Sequence, residues 1–196
     1  MPPFALPLAL LLAYLLGSVP FAVVVSRGMG LPDPRTFGSG NPGATNVMRT
    51  GSRAAAALTL LGDAGKGAVA VLLGRLAGLD TDALALCGLA AFVGHVFSVF
   101  LGWRGGKGVA TAAGVLLALD PLLGAAVLAV WLAAFGLSRI SAVGALSAGV
   151  AAIPLGWLLL GNGIAAAGVA LMSLILLARH HSNVRQLLLE YRHGKP

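Results

Sequence analysis

Residues 109–120 read VATAAGVLLALD, and at Pro121 a second apolar run begins, PLLGAAVLAVWLAAF. Whether these runs are one helix or two decides the fold. As a helix the first run rises only ~18 Å, short of a hydrocarbon layer of roughly 30 Å. It is therefore either a partial span of its own or the first half of a helix kinked at Pro121. The first reading gives seven crossings and the second gives six.

Charges elsewhere decide between them. Apolar segments run over 4–26, 54–78, 83–102, 108–119, 121–137, 140–160 and 163–178, separated by Gly, Pro or charge. With seven crossings Arg27, Arg35, Arg49, Arg53, Arg104, Lys107, Arg139, Arg179, Arg185, Arg192 and Lys195 all fall on one side. The opposite loops then hold Asp80, Asp82 and Asp120 with no base. Six crossings scatter the cations over both faces. Basic loops stay in the cytoplasm, so the expected fold is all-α: a polytopic integral membrane protein of seven transmembrane helices, N-terminus outside and C-terminus cytoplasmic.

Composition agrees. Hydrophobic residues are 58% of the 196 and charged residues 10%, with a mean hydropathy of +0.94, a balance that a soluble domain with a polar surface does not carry. The length is used up by the spans, which makes residues 1–196 one domain. The first apolar run, 4–26, lacks a basic flank and exceeds the ~7–15 residues of a signal-peptide core, so it reads as a retained span. Cys87 lies in an apolar setting, ALALCGLAAFVGH, that suits packing; a single cysteine forms neither a disulfide nor a metal site. The net charge of +7 is a topology signal that also favours anionic lipid headgroups, and nucleic acid is not implied.

Four stretches carry the polar groups on which chemistry could rest, the first of them too polar for lipid. FGSGNPGATNVMRTGSR, 37–53, combines glycines and small hydroxyl residues with Arg49 and Arg53. Converging backbone N–H groups and the side chains of Ser39, Asn41, Thr45 and Asn46 suit an anion; the alternative is an interfacial loop whose arginines only orient the chain. GWRGGKGVATAAG, 102–114, is a second cationic glycine turn leading into a helix start, a natural phosphate site beside Arg104 and Lys107. It is not a nucleotide-type P-loop, because Gly108 follows Lys107 where Ser or Thr is required. GDAGKG, 62–67, sets Asp63 and Lys66 three apart on one helix face, as an internal ion pair or as ligands. In ARHHSNVRQL, 178–187, His180, His181, Asn183 and Arg185 gather where the last span ends; histidine there binds an anion, moves a proton, or is simply exposed. His95, alone in FVGHVFSVF, reads as a packing residue. Metal-ligand spacing, a nucleophile elbow and a catalytic carboxylate pair are all missing, so a reaction here rests on positioning and charge stabilisation.

Taken together, GSVPFAVVVSR (17–27), LPDPRTFGSGNPGATNVMR (31–49), DAGKG (63–67), GHVFSVFLGWRGGKGVATAAG (94–114) and RHHSN (179–183) resemble the bacterial acyl-phosphate:glycerol-3-phosphate acyltransferase family, PlsY. Ser98 stands where the family usually has Pro, Arg104 where Lys is frequent, and the tail LLLEYRHGKP is this chain's own. The resemblance implies a seven-span enzyme of the bacterial inner membrane, active near the cytoplasmic face. It moves a fatty acyl group from acyl phosphate to the 1-hydroxyl of glycerol-3-phosphate, giving lysophosphatidic acid and phosphate, without cofactor or metal; its partners are these two substrates and membrane lipid. By motif position, Ser39, Gly40, Asn41, Gly43, Thr45 and Asn46 cradle the acyl phosphate. Arg49 and Lys107 hold the acceptor phosphate, His180 and Asn183 complete that pocket, and Lys66, Arg104, Gly105 and Gly106 also contact substrate. Ser141 matches a position near the substrates or caps its span. The proton acceptor is His180, His95 or, the favoured reading, a substrate phosphate, whose second pKa near 6 suits neutral pH. A transporter of a phosphate ester is the rival reading; a membrane scaffold would leave the cationic loops without a purpose.

Overall fold

The computed structural model describes residues 4–192, the side chains of 190 and 191 excepted, and every regular element among them is helical. In chain order these are α1 (Ala5–Ser18), α2 (Phe21–Gly28), the short α3 (Ala44–Val47), α4 (Arg53–Leu76), α5 (Thr81–Val96), α6 (Val109–Leu119), α7 (Pro121–Ser138), α8 (Ser141–Leu160), α9 (Ile164–Arg179) and α10 (His181–Arg192), with 3-10 turns at Met48–Thr50 and Val99–Leu101. Four are long and apolar enough to cross a membrane: α4, α5 continued to Leu101, α7 and α8. The number reaches six if α1 with α2, and α9 with α10, each count as one bent span. α6 is a separate, shorter apolar helix.

The break at 120–121 is a made junction. Asp120 leaves the helical region and its Oδ1 accepts from the N–H of Leu123 at 2.7 Å, with Pro121 at the first helical position. A carboxylate cap followed by proline starts a helix, so α6 and α7 are two elements. The other acids of the opposite loops are also caps. Asp80 accepts from Ala83 N–H at the start of α5, and Asp82 accepts from Ala165 N–H at the start of α9.

The first span departs from the continuous 4–26 run that hydropathy indicates. It bends by 42° between α1 and α2, because Pro20 lacks an N–H and the chain cannot continue the helical ladder. Carbonyls freed at such a break need partners inside the bilayer. Here Ser98 Oγ donates to Ser18 O at 2.6 Å and Lys66 Nζ to Val19 O at 2.8 Å. Arg75, a base toward the acidic end, sits in the last turn of α4 and donates from Nη2 to Ala118 O and Leu119 O, tying the ends of α4 and α6 together.

Helices approach closely where they carry no side chain. A Cβ at Gly17 would stand 1.9 Å from Ala91 O, bringing α1 against α5, and one at Gly114 would stand 1.9 Å from Ala64 O, bringing α6 against α4. Without water to expel, small-residue contact is what packs helices in lipid. The resulting core runs through Val71, Ala91, Phe92, Val96, Val115 and Leu123, all buried, and it fixes the ends of α4, α5, α6 and α9 relative to one another.

Candidate active site

The 31–53 connection is a folded loop. Asp33 and Arg35 pair at 2.6 Å, and the hydrogen bonds from Arg35 hold the Asp33 carboxyl down at about 2. Asn46 is buried at the centre: its Nδ2 donates to Pro34 O at 2.7 Å and to Phe37 O at 3.2 Å, while its Oδ1 accepts from Ser39 N–H at 3.1 Å. One amide thus organises the turn that presents Ser39, Gly40 and Asn41. Gly38 and Gly40 have positive φ, +57° and +66°, which only the turn's tightness requires. A Cβ on Gly38 would meet Asn46 Oδ1 and the guanidinium of Arg49, so Arg49 lies along this loop.

The second glycine turn is stapled to the end of α5. Gly105 N–H donates to Val96 O and Gly106 N–H to His95 O, both at 3.1 Å. Cβ atoms there would fall 1.9 Å from His95 O and 2.2 Å from His95 Nε2 respectively. His95 Nδ1 in turn stands 3.4 Å from Asp63 Oδ1, and Lys66 Nζ is 2.7 Å from the same oxygen. All three side chains are buried, around a cavity of ≈ 10 Å³ that Ser18, Ser98, Pro42 and Gly106 also line. A space of that size admits no phosphate. Asp63, Lys66 and His95 form a polar foundation under the two loops, with Lys66 spent on Asp63 and Val19 O.

Above this foundation the cations converge. Lys107 Nζ donates to Asn183 Oδ1 at the start of α10. The Lys107 ammonium is held below the ordinary lysine value, first by burial and then by the charges of Arg179 and Arg49. His180, buried at the bend between α9 and α10, uses Nδ1 on Leu176 O at 2.8 Å. Because a carbonyl only accepts, that nitrogen carries the proton and Nε2 is the free acceptor. Burial lowers the His180 pKa, Leu176 O raises it, and the charge of Lys107 lowers it again.

The structure brings together the 39–49 loop, Gly105, Gly106, Lys107, His180 and Asn183. Arg104 is exposed at the rim, Thr45 is exposed in α3, and Gly43 precedes that helix in extended form. Ser141 is the first residue of α8; Ile140 holds the cap position, and no side-chain cap bond forms there. Sequence reasoning gave Arg179 no place beside the second glycine turn, where the structure puts it. Its Nη2 donates to Gly105 O at 3.2 Å and its guanidinium lies 5.9 Å from the Phe97 ring centroid. The available signal is its place at the head of RHHSN, where its charge counts first toward topology. A groove of ≈ 500 Å³ runs between α2 and the Val99–Leu101 turn, walled by Val23, Val24 and Phe100 with Arg27 and Arg35 at one end; it shares Pro20 and Leu101 with the small cavity.

The family profile described as "Glycerol-3-phosphate acyltransferase" matches residues 7–190. A glycerol-3-phosphate acyltransferase of Thiobacillus denitrificans is 58% identical over 189 residues, covering 93% of this chain and 94% of its own. One of Laribacter hongkongensis is 53% identical over 184 residues, covering 92% and 91%. Among solved structures, the glycerol 3-phosphate form of PlsY (YgiH), an integral membrane glycerol 3-phosphate acyltransferase, superposes with a TM-score of 0.87 at 34% identity, covering 94% of this chain and 92% of that one. Its lysophosphatidic acid form gives 0.85 at 33% over the same shares.

Proposed function

The chain belongs to the glycerol-3-phosphate acyltransferase family and transfers an acyl group to glycerol-3-phosphate, giving lysophosphatidic acid, and from that premise we propose how these residues do so. The donor is a fatty acyl phosphate and the acceptor oxygen is the 1-hydroxyl. The observation that carries this is Lys107, bonded to Asn183, close enough to Arg49 and Arg179 to feel both charges, and acting in turn on His180. Two phosphate-bearing reactants need that much positive charge on one face. The small groups of the 39–46 loop receive the donor phosphate, with Ser39, Asn41 and Thr45 as side-chain donors; Asn46 serves by holding the turn. Arg49, Lys107 and Asn183 take the acceptor phosphate over the Gly105–Gly106 turn.

The acyl chain lies in the groove of Val23, Val24, Phe100 and Leu101, whose apolar walls and ≈ 500 Å³ suit a ligand of drug size or larger. The acceptor hydroxyl oxygen attacks the acyl carbonyl carbon, the bond from that carbon to the phosphate oxygen breaks, and inorganic phosphate leaves among the cations. The hydroxyl proton passes to the acceptor's own phosphate. His180, its Nδ1 held by Leu176 O, lines the acceptor pocket beside Lys107.

In the bilayer we count seven crossings: the four long helices, α6, the bent pair α1 with α2, and α9 without α10. The basic face is the cytoplasmic face of the bacterial inner membrane. The test is phosphate release from palmitoyl phosphate by purified protein, with and without glycerol-3-phosphate, beside Arg49→Ala and Lys107→Ala. Acceptor-dependent release that falls at least ~100-fold in both variants is expected. No release by folded protein refutes the donor; full activity in either variant refutes the assigned phosphate site.

A further inference from the structure

α10 is built differently from the helices before it. Val184, Leu187 and Leu188 fall on one helical stripe; Leu188 is 58% exposed and Val184 37%. Arg185 and Arg192, both exposed, lie within ~20° of each other around the axis, on the flank of that stripe. The helix turns 47° away from α9, so it leaves the bundle instead of prolonging the span. At its start Asn183 receives Lys107 Nζ, and Val184 N–H bonds His180 O at 3.0 Å. A twelve-residue helix is marginal in water unless its apolar face is covered.

The surface that adjoins the end of a span is the headgroup layer of the bilayer itself. Cations flanking an apolar stripe match an anionic headgroup layer above acyl chains. A second copy of the chain fits less well, since a twofold contact would set Arg185 and Arg192 near their own counterparts. We propose that α10 is an interfacial helix seated on anionic phospholipid of the leaflet it emerges into, and that this seating holds Asn183 on Lys107, so that lipid charge tunes the acceptor site. The inference rests on the acceptor site and orientation proposed above.

The test uses the full chain with Cys87→Ala and Leu188→Cys, labelled with bimane, in phosphatidylcholine vesicles with or without phosphatidylglycerol. Quenching by neutral acrylamide should fall when phosphatidylglycerol is present. Arg185→Gln with Arg192→Gln should return it, shifting the embedded-to-exposed ratio by about 30-fold. In the same anionic vesicles that double variant should raise the acceptor KM several-fold, while matching the parent in phosphatidylcholine alone. Quenching indifferent to lipid charge or to the arginines overturns the seating, as does a disulfide-linked dimer of the unlabelled Leu188→Cys protein; an unchanged KM overturns the coupling. Acceptor-dependent phosphate release by the parent in phosphatidylcholine is the control. If it is present while lipid dependence fails, only this inference falls; if it is absent, the proposed donor and acceptor site fall as well.

Discussion

Gly105→Ala should damage acceptor binding as well as folding. The new Cβ would stand 1.9 Å from His95 O and 2.8 Å from Val96 O. Both are backbone atoms at the end of a packed helix, so neither can swing aside. Ordinary contact begins near 3.4 Å, so residue 105 must retreat by about 1.5 Å. That retreat breaks the bonds from Gly105 N–H to Val96 O and from Gly106 N–H to His95 O, a stability cost of about 1–3 kcal/mol. Lys107 travels with the turn and loses register with Asn183. A displacement of ~1 Å in a positioning group costs on the order of 100-fold, or about 2.7 kcal/mol in kcat/KM for glycerol-3-phosphate. The assay is acceptor-dependent phosphate release against a glycerol-3-phosphate titration, with thermal unfolding in detergent to verify the fold. Gly65→Ala is the control: nothing lies within 4 Å of its Cβ, and helix propensity should stabilise it by about 0.5–1 kcal/mol. A folded Gly105→Ala protein with kinetics within ~3-fold of the parent would refute the claim that this turn positions Lys107.

Asn46→Ala should lower stability by about 2–4 kcal/mol, because three loop hydrogen bonds lose their partner; unaltered melting with lost activity would instead make Asn46 a direct ligand. Lys107 sheds its proton at lower pH than an ordinary lysine, so the acceptor kcat/KM should fall as pH rises through that depressed value. Arg49→Ala removes one of the repelling charges and should move this limb to higher pH, and a limb that stays put would detach it from Lys107. Asp63→Ala leaves Lys66 buried without its counter-ion, at a cost of about 3–5 kcal/mol. Asp63→Leu with Lys66→Met should recover part of that loss, the remainder being the partners that Val19 O and His95 then lack; a double variant no more stable than Asp63→Ala would refute the cost assigned to the unpaired lysine.

Hydropathy made the apolar helices legible, and the Asp120–Pro121 pair carried a helix start that length alone left open. The break at Pro20 was less legible. Its apolar neighbours kept the run continuous, and the groups that satisfy the freed carbonyls, Lys66 and Ser98, lie far along the chain. The motif loops announced anion chemistry, yet sequence cannot say which donors face outward. Asn46 looks like its neighbours in GATNV and turns inward. His95 read as isolated because its partners, Asp63 and the backbone of Gly106, come from α4 and from the turn beyond α5. Arg179 was visible as a charge, and its place beside the candidate site appears only when α9 is packed against the glycine turn.

The shortness of α6 has a consequence for how the two reactants meet. Eleven residues climb about 16 Å, and Arg75 ties the helix's lower end to the foot of α4. In the seven-span reading, a slab of about 30 Å then rises well above the start of α6, and the glycine turn before that helix lies below the level its longer neighbours reach. On the proposed reaction, glycerol-3-phosphate descends to the turn from the aqueous side, while the proposed acyl phosphate donor slides sideways to bring its carbonyl there. A helix one turn longer would raise the glycine turn and strand the carbonyl below it.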